Sequence, residues 1–199
     1  MYNPYDYYFK KAKKTGYKAR SAFKLEEIDN KFHIFNKNTK NILDIGCYPG
    51  SWIQYIYGKL NKLNVQNYKI VGFDLMQAEM NMEGVFLYQQ DIKDKEGVSG
   101  ILENLGLGEL DVIVSDMAPN TIGMKDIDSM KSVDLLEESF YVYQSYLKQD
   151  GKFVMKVFMG PGFEEFLGKL KKIYGGKNIK TYKPSSTRKS SKETYLIKI

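Results

Sequence analysis

The chain has one cysteine, Cys47, one histidine, His33, and one tryptophan, Trp52, among 199 residues. A lone cysteine forbids an internal disulfide and any cysteine-based zinc cluster. A lone histidine argues against a Ser-His-Asp triad and a histidine-rich metal site, so acid–base chemistry falls to Lys, Asp, Glu or Tyr. Cys47 and His33 read as structural, and no metal is expected. Apolar runs stay far short of the ~20 residues of a membrane-spanning helix. Nor does a charged-then-apolar leader open the chain. The expectation is a soluble intracellular protein with no membrane partner. Low-complexity tracts, repeats and linkers are missing too, so residues 1–199 should form a single domain able to bury a real core.

Positive charge is what the chain has in excess, +6 overall, and it gathers at the ends. Lys10, Lys11, Lys13, Lys14, Lys18, Arg20 and Lys24 face one acid, Asp6, with Tyr2, Tyr5, Tyr7, Tyr8, Phe9 and Tyr17 interleaved. Lys177, Lys180, Lys183, Arg188, Lys189 and Lys192 follow one another with no acid until Glu193. Solvated surface segments would also look like this. A near-neutral middle between basic, aromatic ends favours a phosphate-binding face with rings for stacking, so RNA or another nucleic acid is the expected partner. Residues 1–20 are read as a basic, aromatic arm, with a short helix near residues 5–15.

The centre of the chain's design is Asn41 to Trp52. An apolar run, Ile42, Leu43 and Ile45, breaks at Gly46 and Gly50, and Ile53, Ile56, Tyr57 and Leu60 then recur at helical spacing. That pattern predicts strand, glycine turn, helix. The turn lacks both the dinucleotide fingerprint and the P-loop lysine. Its D-x-G-x-x-P-G form, Asp44 to Gly50, resembles the S-adenosylmethionine loop of class I methyltransferases.

Further strands are expected at Lys69–Leu75, Val85–Ile92, Leu110–Asp116, Lys152–Phe158, Asn178–Tyr182 and Thr194–Ile199. Helices are expected at Ser21–Phe32, Val98–Leu105, Met130–Leu147 and Phe163–Ile173. Alternating strands and helices predict a mostly parallel sheet with helices on both faces, and the last strand, with no helix before it, should be antiparallel. Ligands bind such sheets outside the carboxyl ends of the strands. Asp74, Asp91 and Asp116 are expected there, the first suited to ribose hydroxyls and the second to an adenine amino group.

Lys156 stands out because it sits between Val154 and Phe158 on one face of a strand that helices should cover. A buried ammonium is costly unless paired. It reads either as a satisfied salt bridge or as a group that takes a proton or steers an oxygen nucleophile. Parallel neighbours would set Asp116 beside it, and an antiparallel last strand would return Glu193 to the same edge.

From Arg20-Ser21-Ala22-Phe23-Lys24-Leu25 to the last strand, the sequence resembles the FtsJ family of RNA ribose 2′-O-methyltransferases. The resemblance runs through Asp44–Trp52, Asp74-Leu75, Asp91, Ser115–Asn120, Gly151–Phe158, Lys183-Pro184-Ser185 and Glu193-Thr194-Tyr195. It implies a Rossmann-like class I α/β fold and a catalytic tetrad of Lys24, Asp116, Lys156 and Glu193. It further implies S-adenosylmethionine held by Gly46, Cys47, Tyr48, Pro49, Gly50, Trp52, Asp74, Leu75, Asp91, Ile92 and Asp116. On the clustering of charge at the two ends, RNA would be met by Lys10, Lys11, Lys13, Lys14, Lys18, Arg20, Lys183, Arg188 and Lys189. Two departures are visible: Cys47-Tyr48 replaces the small pair common in the loop, and Ser51 replaces a glycine of the bacterial form.

The expected reaction is methylation of a ribose 2′-hydroxyl of RNA by a monomer in the cytoplasm or the mitochondrial matrix. Ser115–Asn120, Gly123 with Asp126 and Asp128, and Pro184–Glu193 are similar to enzymes acting on large-subunit ribosomal RNA. The end of the chain just after the last strand points the same way, and a uridine is the expected acceptor. The amino-terminal run from Tyr7 to Phe23 and Pro49–Trp52 are similar instead to the branch that methylates the tRNA anticodon loop. A non-catalytic RNA-binding module and a small-molecule methyltransferase are the rivals, disfavoured respectively by the intact tetrad and by the basic ends.

Overall fold

A computed structural model describes residues 7–188 and 190–199. Residues 1–6 of the arm and Lys189 lie outside the described residues. The elements run α1 (Tyr7–Thr15), α2 (Ala22–Phe32), β1 (Asn41–Ile45), α3 (Ser51–Lys62), β2 (Lys69–Asp74), β3 (Val85–Gln89) and α4 (Lys95–Asn104). They continue with β4 (Leu110–Ser115), α5 (Lys125–Tyr146), β5 (Leu147–Phe158), α6 (Phe163–Tyr174), β6 (Ile179–Tyr182) and β7 (Glu193–Lys198). None of these helices is long and apolar enough to cross a membrane.

The seven strands form one sheet in the order β3-β2-β1-β4-β5-β7-β6. β1 to β5 are mutually parallel, and β7 is antiparallel to both its neighbours. The antiparallel last strand was expected. Its position between β5 and β6 is what the structure adds: α6 carries the chain one strand too far, and β7 fills the gap. From β1 the chain moves outward to β2 and β3, then returns to β4 on the other side. That reversal opens a crevice at the carboxyl ends of β1 and β4.

Side chains alternate between the two faces of each strand. Leu43, Ile45, Phe73, Ile113, Phe153, Met155 and Val157 share one core with Leu136, Phe140 and Phe166 of the helices α5 and α6. Ile42, Ile70, Val112, Val114, Val154, Tyr195 and Ile197 share the other with Leu25 and Ile28 of α2 and Ile53 and Ile56 of α3. The alternation therefore puts Asp116, Lys156, Glu193 and Tyr195 on the side that α2 covers.

Several boundaries differ from the sequence reading, those of β3, α5 and β5 among them. β3 is an edge strand whose ladder with β2 ends at the pair Asp74–Gln89, so Asp91 and Ile92 fall in the loop beyond it. α5 begins at Lys125 because Asp128 in its first turn accepts the N–H groups of Ile122 (2.8 Å) and Gly123 (3.1 Å). β5 begins at Leu147, with a register shift opposite Leu110 and Val112.

Candidate active site

Register aligns the site. Ile45 pairs with Phe73 and Ser115, and Ser115 pairs with Met155. The next residues along, Gly46, Asp74, Asp116 and Lys156, therefore form a row at the carboxyl edge. A cavity of about 610 Å³ opens there. Gly46, Tyr48, Asp74 and Leu75 line one side and Asp91 and Ile92 another, with Asp116–Asn120 opposite and Lys131 and Leu135 of α5 closing it.

Gly46 is required by this geometry. Its φ is 78°, and a Cβ there would stand 3.0 Å from the backbone of Met117. Glycine alone combines that φ with so close an approach. Asp74 is held by the N–H groups of Tyr48 and Met76, each at 2.9 Å, and still has lone pairs to offer a ligand. Asp91 is exposed and accepts the Lys93 N–H at 3.0 Å. Beneath the turn, Asp44 is fully buried and neither carboxylate oxygen meets a protein donor. Burial, reinforced by Asp116 and Asp74, raises its pKa well above the ordinary range and favours the neutral acid.

All four expected tetrad members come together. Lys24 of α2 reaches Glu193 at 2.6 Å, and Lys156 reaches the Asp116 carboxylate at 3.1 Å. Lys156 also donates to the Asp116 main-chain oxygen. The four side chains are only 8–18 % exposed. The two pairs are joined by Tyr195, whose hydroxyl lies 2.9 Å from Asp116 and 2.8 Å from Glu193. Burial would raise the Asp116 carboxyl. The charges of Lys156 and Lys24, with hydrogen bonds from Lys156 and Tyr195, outweigh it and hold the group below its usual value, hence ionised. Burial, together with Asp116 and Glu193, raises the Tyr195 phenol far up, so it stays protonated.

Other expected contacts go elsewhere. Trp52 is 2 % exposed, and its indole donates to the Ser21 main-chain oxygen at 2.9 Å while its ring sits 6.0 Å from that of Tyr195. It supports the site from below and does not line the cavity. Cys47 packs against Gly72, where an added Cβ would fall 2.9 Å from its sulfur. Pro49 and Gly50 shape the turn without lining the cavity; a Cβ on Gly50 would collide with Met80 at 2.3 Å. Ser51, the departure from glycine, is buried with its hydroxyl 2.7 Å from that of Ser21. It fastens α3 to the start of α2.

The basic residues divide. Arg20, Lys24 and Arg188 line a second cavity of about 380 Å³ with Ser190, Ser191 and Glu193, so it shares two groups with the network. Lys10, Lys13 and Lys14 are exposed on α1. Lys11 lies 4.2 Å from the Phe23 ring centre and 4.0 Å from Glu26. Lys18 is engaged with the main-chain oxygen of Glu79 (2.8 Å) and Lys183 with that of Ser191 (2.6 Å). Tyr8 and Tyr17 pack on Phe23, each at 5.6 Å, so these arm rings anchor the arm and are not free for stacking.

Sequence reasoning missed Tyr195 as a functional side chain. The signal was available: Glu193 and Tyr195 are two apart on one strand and so share a face. Asp44 was noticed only as part of the turn.

The FtsJ-like methyltransferase model matches residues 17–199. The chain is 38% identical over 196 residues to a ribosomal RNA large subunit methyltransferase E of Bdellovibrio bacteriovorus, covering 98% of this chain and 96% of that one. A protein of the same name from Pelagibacter ubique is 37% identical over 192 residues, covering 96% and 90%. The crystal structure of a ribosomal RNA methyltransferase from Plasmodium falciparum superposes with a TM-score of 0.76 at 31% identity, covering 92% and 97%. With that match over nearly its whole length and the glycine turn, strand-end acids and linked ion pairs in one sheet edge, this chain belongs to the FtsJ-like methyltransferase family.

Proposed function

We propose that the protein transfers a methyl group from S-adenosylmethionine to the ribose 2′-hydroxyl of a uridine in large-subunit ribosomal RNA. The observation that carries the reading is the Lys24–Glu193–Tyr195–Asp116–Lys156 network, placed between the 610 Å³ cavity and the basic cavity. The larger cavity falls within the size range of pockets that take a ligand like S-adenosylmethionine. Its residues fit that ligand: Asp74 for the ribose hydroxyls, Asp91 for the adenine amino group, and Gly46 for close approach of the backbone. When bound, S-adenosylmethionine supplies an electrophilic methyl group.

The rest is alignment and charge placement. Lys156 directs an N–H at the acceptor oxygen and stabilises the negative charge that builds there as the hydroxyl proton passes to water and the oxygen takes the methyl group. Asp116, kept ionised, fixes Lys156. Tyr195 ties Asp116 to Glu193, and Glu193 holds Lys24 at the mouth of the basic cavity, where the RNA backbone would lie. One chain carries every group, so a monomer suffices. The proposed acceptor is an assembled or nearly assembled subunit, in the cytoplasm or an organelle matrix. The names of the bacterial relatives support large-subunit ribosomal RNA as the acceptor.

Undermethylated large subunits and undermethylated tRNA, each offered with labelled S-adenosylmethionine, test it. Label at a uridine 2′-oxygen of the subunit is expected. Label in the tRNA anticodon loop alone would move the acceptor and leave the reaction standing. Cofactor binding with no transfer to either RNA would favour a non-catalytic module.

A further inference from the structure

Lys24 and Glu27 lie three residues apart on α2, hence side by side on one face. Lys24 holds Glu193. Glu27 holds the loop that leads into Glu193: one carboxylate oxygen accepts the N–H (2.6 Å) and the hydroxyl (2.7 Å) of Ser185, and the other accepts the Ser186 N–H (2.9 Å). The Ser186 main-chain oxygen in turn accepts from Arg20. Within the loop, the Thr187 N–H donates to Pro184 and the Ser191 N–H to Arg188, both at 3.0 Å. The Ser191 hydroxyl accepts the Glu193 N–H at 3.2 Å.

We propose that Glu27 is a positioning residue: it clamps the β6–β7 loop to α2 so that Arg188 and Glu193 meet Arg20 and Lys24 at the basic cavity in the geometry RNA requires. The inference rests on the reading of that cavity as the acceptor side. Three donors converging on one side chain call for an acceptor-only group. A glutamine would turn an NH₂ toward an N–H. The anion is also favoured locally: burial works against it, and the bonds from Ser185 and Ser186 bring the Glu27 carboxyl below its ordinary value.

The test uses Glu27→Gln, which keeps size and removes charge, and Ser185→Ala, which removes one of three bonds. Hydrogen exchange at the Ser185 and Ser186 amides, calorimetry with S-adenosylmethionine, and kcat and KM on undermethylated large subunits are measured for each. In Glu27→Gln, losing hydrogen bonds to a charged group should speed exchange and raise KM for the RNA by roughly tenfold or more. Cofactor affinity should change less than about twofold, kcat should fall by a smaller factor than KM rises because Glu193 is displaced with the loop, and Ser185→Ala should fall in between. Unchanged exchange, or faster exchange with an unaltered KM, would overturn the proposal. So would loss of cofactor affinity in step with activity, which would make Glu27 a support of the whole fold. Should the wild-type protein leave the subunit unmethylated, the acceptor assignment fails, and the exchange rates alone decide the clamp.

Discussion

Two lysines are buried in the β5–β7 pair among the described residues, Lys156 at 7 % exposure and Lys198 at 5 %. Lys156 lies near the carboxyl end of β5, on the side covered by α2, facing a carboxylate that a tyrosine links to a second one. Lys198 pairs with Phe153 near the other end. It donates to the main-chain oxygens of Gln149 (3.0 Å) and Gly151 and stands 5.6 Å from the Tyr174 ring of α6. Burial of an ammonium is thus common to both lysines; the acids gathered around Lys156, which line the two cavities at the carboxyl edge, set it apart.

The largest effect should come from Lys156→Ala. A positioned proton-transfer or charge-stabilising group is typically worth 10² or more in rate. Methyl transfer should fall by at least about that factor, with cofactor affinity by calorimetry unchanged within roughly twofold. Retention of more than about a tenth of the wild-type rate would erase the distinction between the two lysines.

Tyr195→Phe should come next. It keeps the ring against Trp52 and removes only the hydroxyl that joins the two ion pairs. Hydrogen bonds to charged groups are worth about 1.5–3 kcal/mol, so a loss of kcat on the order of tenfold is expected. Equal loss of kcat and of cofactor affinity would instead assign Tyr195 to the cofactor cavity.

The contrast between the lysines also separates what the sequence disclosed from what it could not. Strand-end positions were readable because each strand is apolar and stops at Gly46, Asp74 or Asp116. The end of β3 was not, because an edge strand stops where its single partner does. Lys156 was found by its place in an apolar strand, a criterion that Lys198 meets equally well. Assigning the tetrad thus drew on the family resemblance as much as on local pattern. The insertion of β7 between β5 and β6 is a long-range event with no local signature, and the Glu27 clamp depends on it. Trp52 and Ser51 belong to the shared turn, but in the folded chain their side chains reach Ser21.

A smaller effect should come from the arm. Each phosphate contact contributes roughly 0.7–0.9 to the slope of log affinity against log salt. Replacing Lys10, Lys11, Lys13 and Lys14 by Ser should lower that slope by at least one such step and weaken binding to all RNA sequences alike. An unchanged slope would make these lysines a solvated face, leaving the cavity of Arg20, Lys24 and Arg188 as the RNA contact.

The smallest effect on activity should come from Lys198→Met: methyl transfer within about twofold of wild type, since Lys198 pairs with Phe153 at the opposite end of the β5–β7 ladder from Glu193. Its signature should be in stability. Burial lowers the Lys198 pKa from 10.5, with Lys152 acting in the same direction and Asp150 against it. The folded protein then gives up this proton at a lower pH than the unfolded chain. Between the two values the unfolded state binds more protons, so stability rises with pH over that window. Chemical denaturation of both proteins from neutral pH toward 10.5 should show the difference moving in favour of the wild type as pH rises. A flat difference would mean that the ammonium is hydrated and not buried. A loss of activity approaching that of Lys156→Ala would mean that burial, and not the surrounding acids, is what the two lysines share in function.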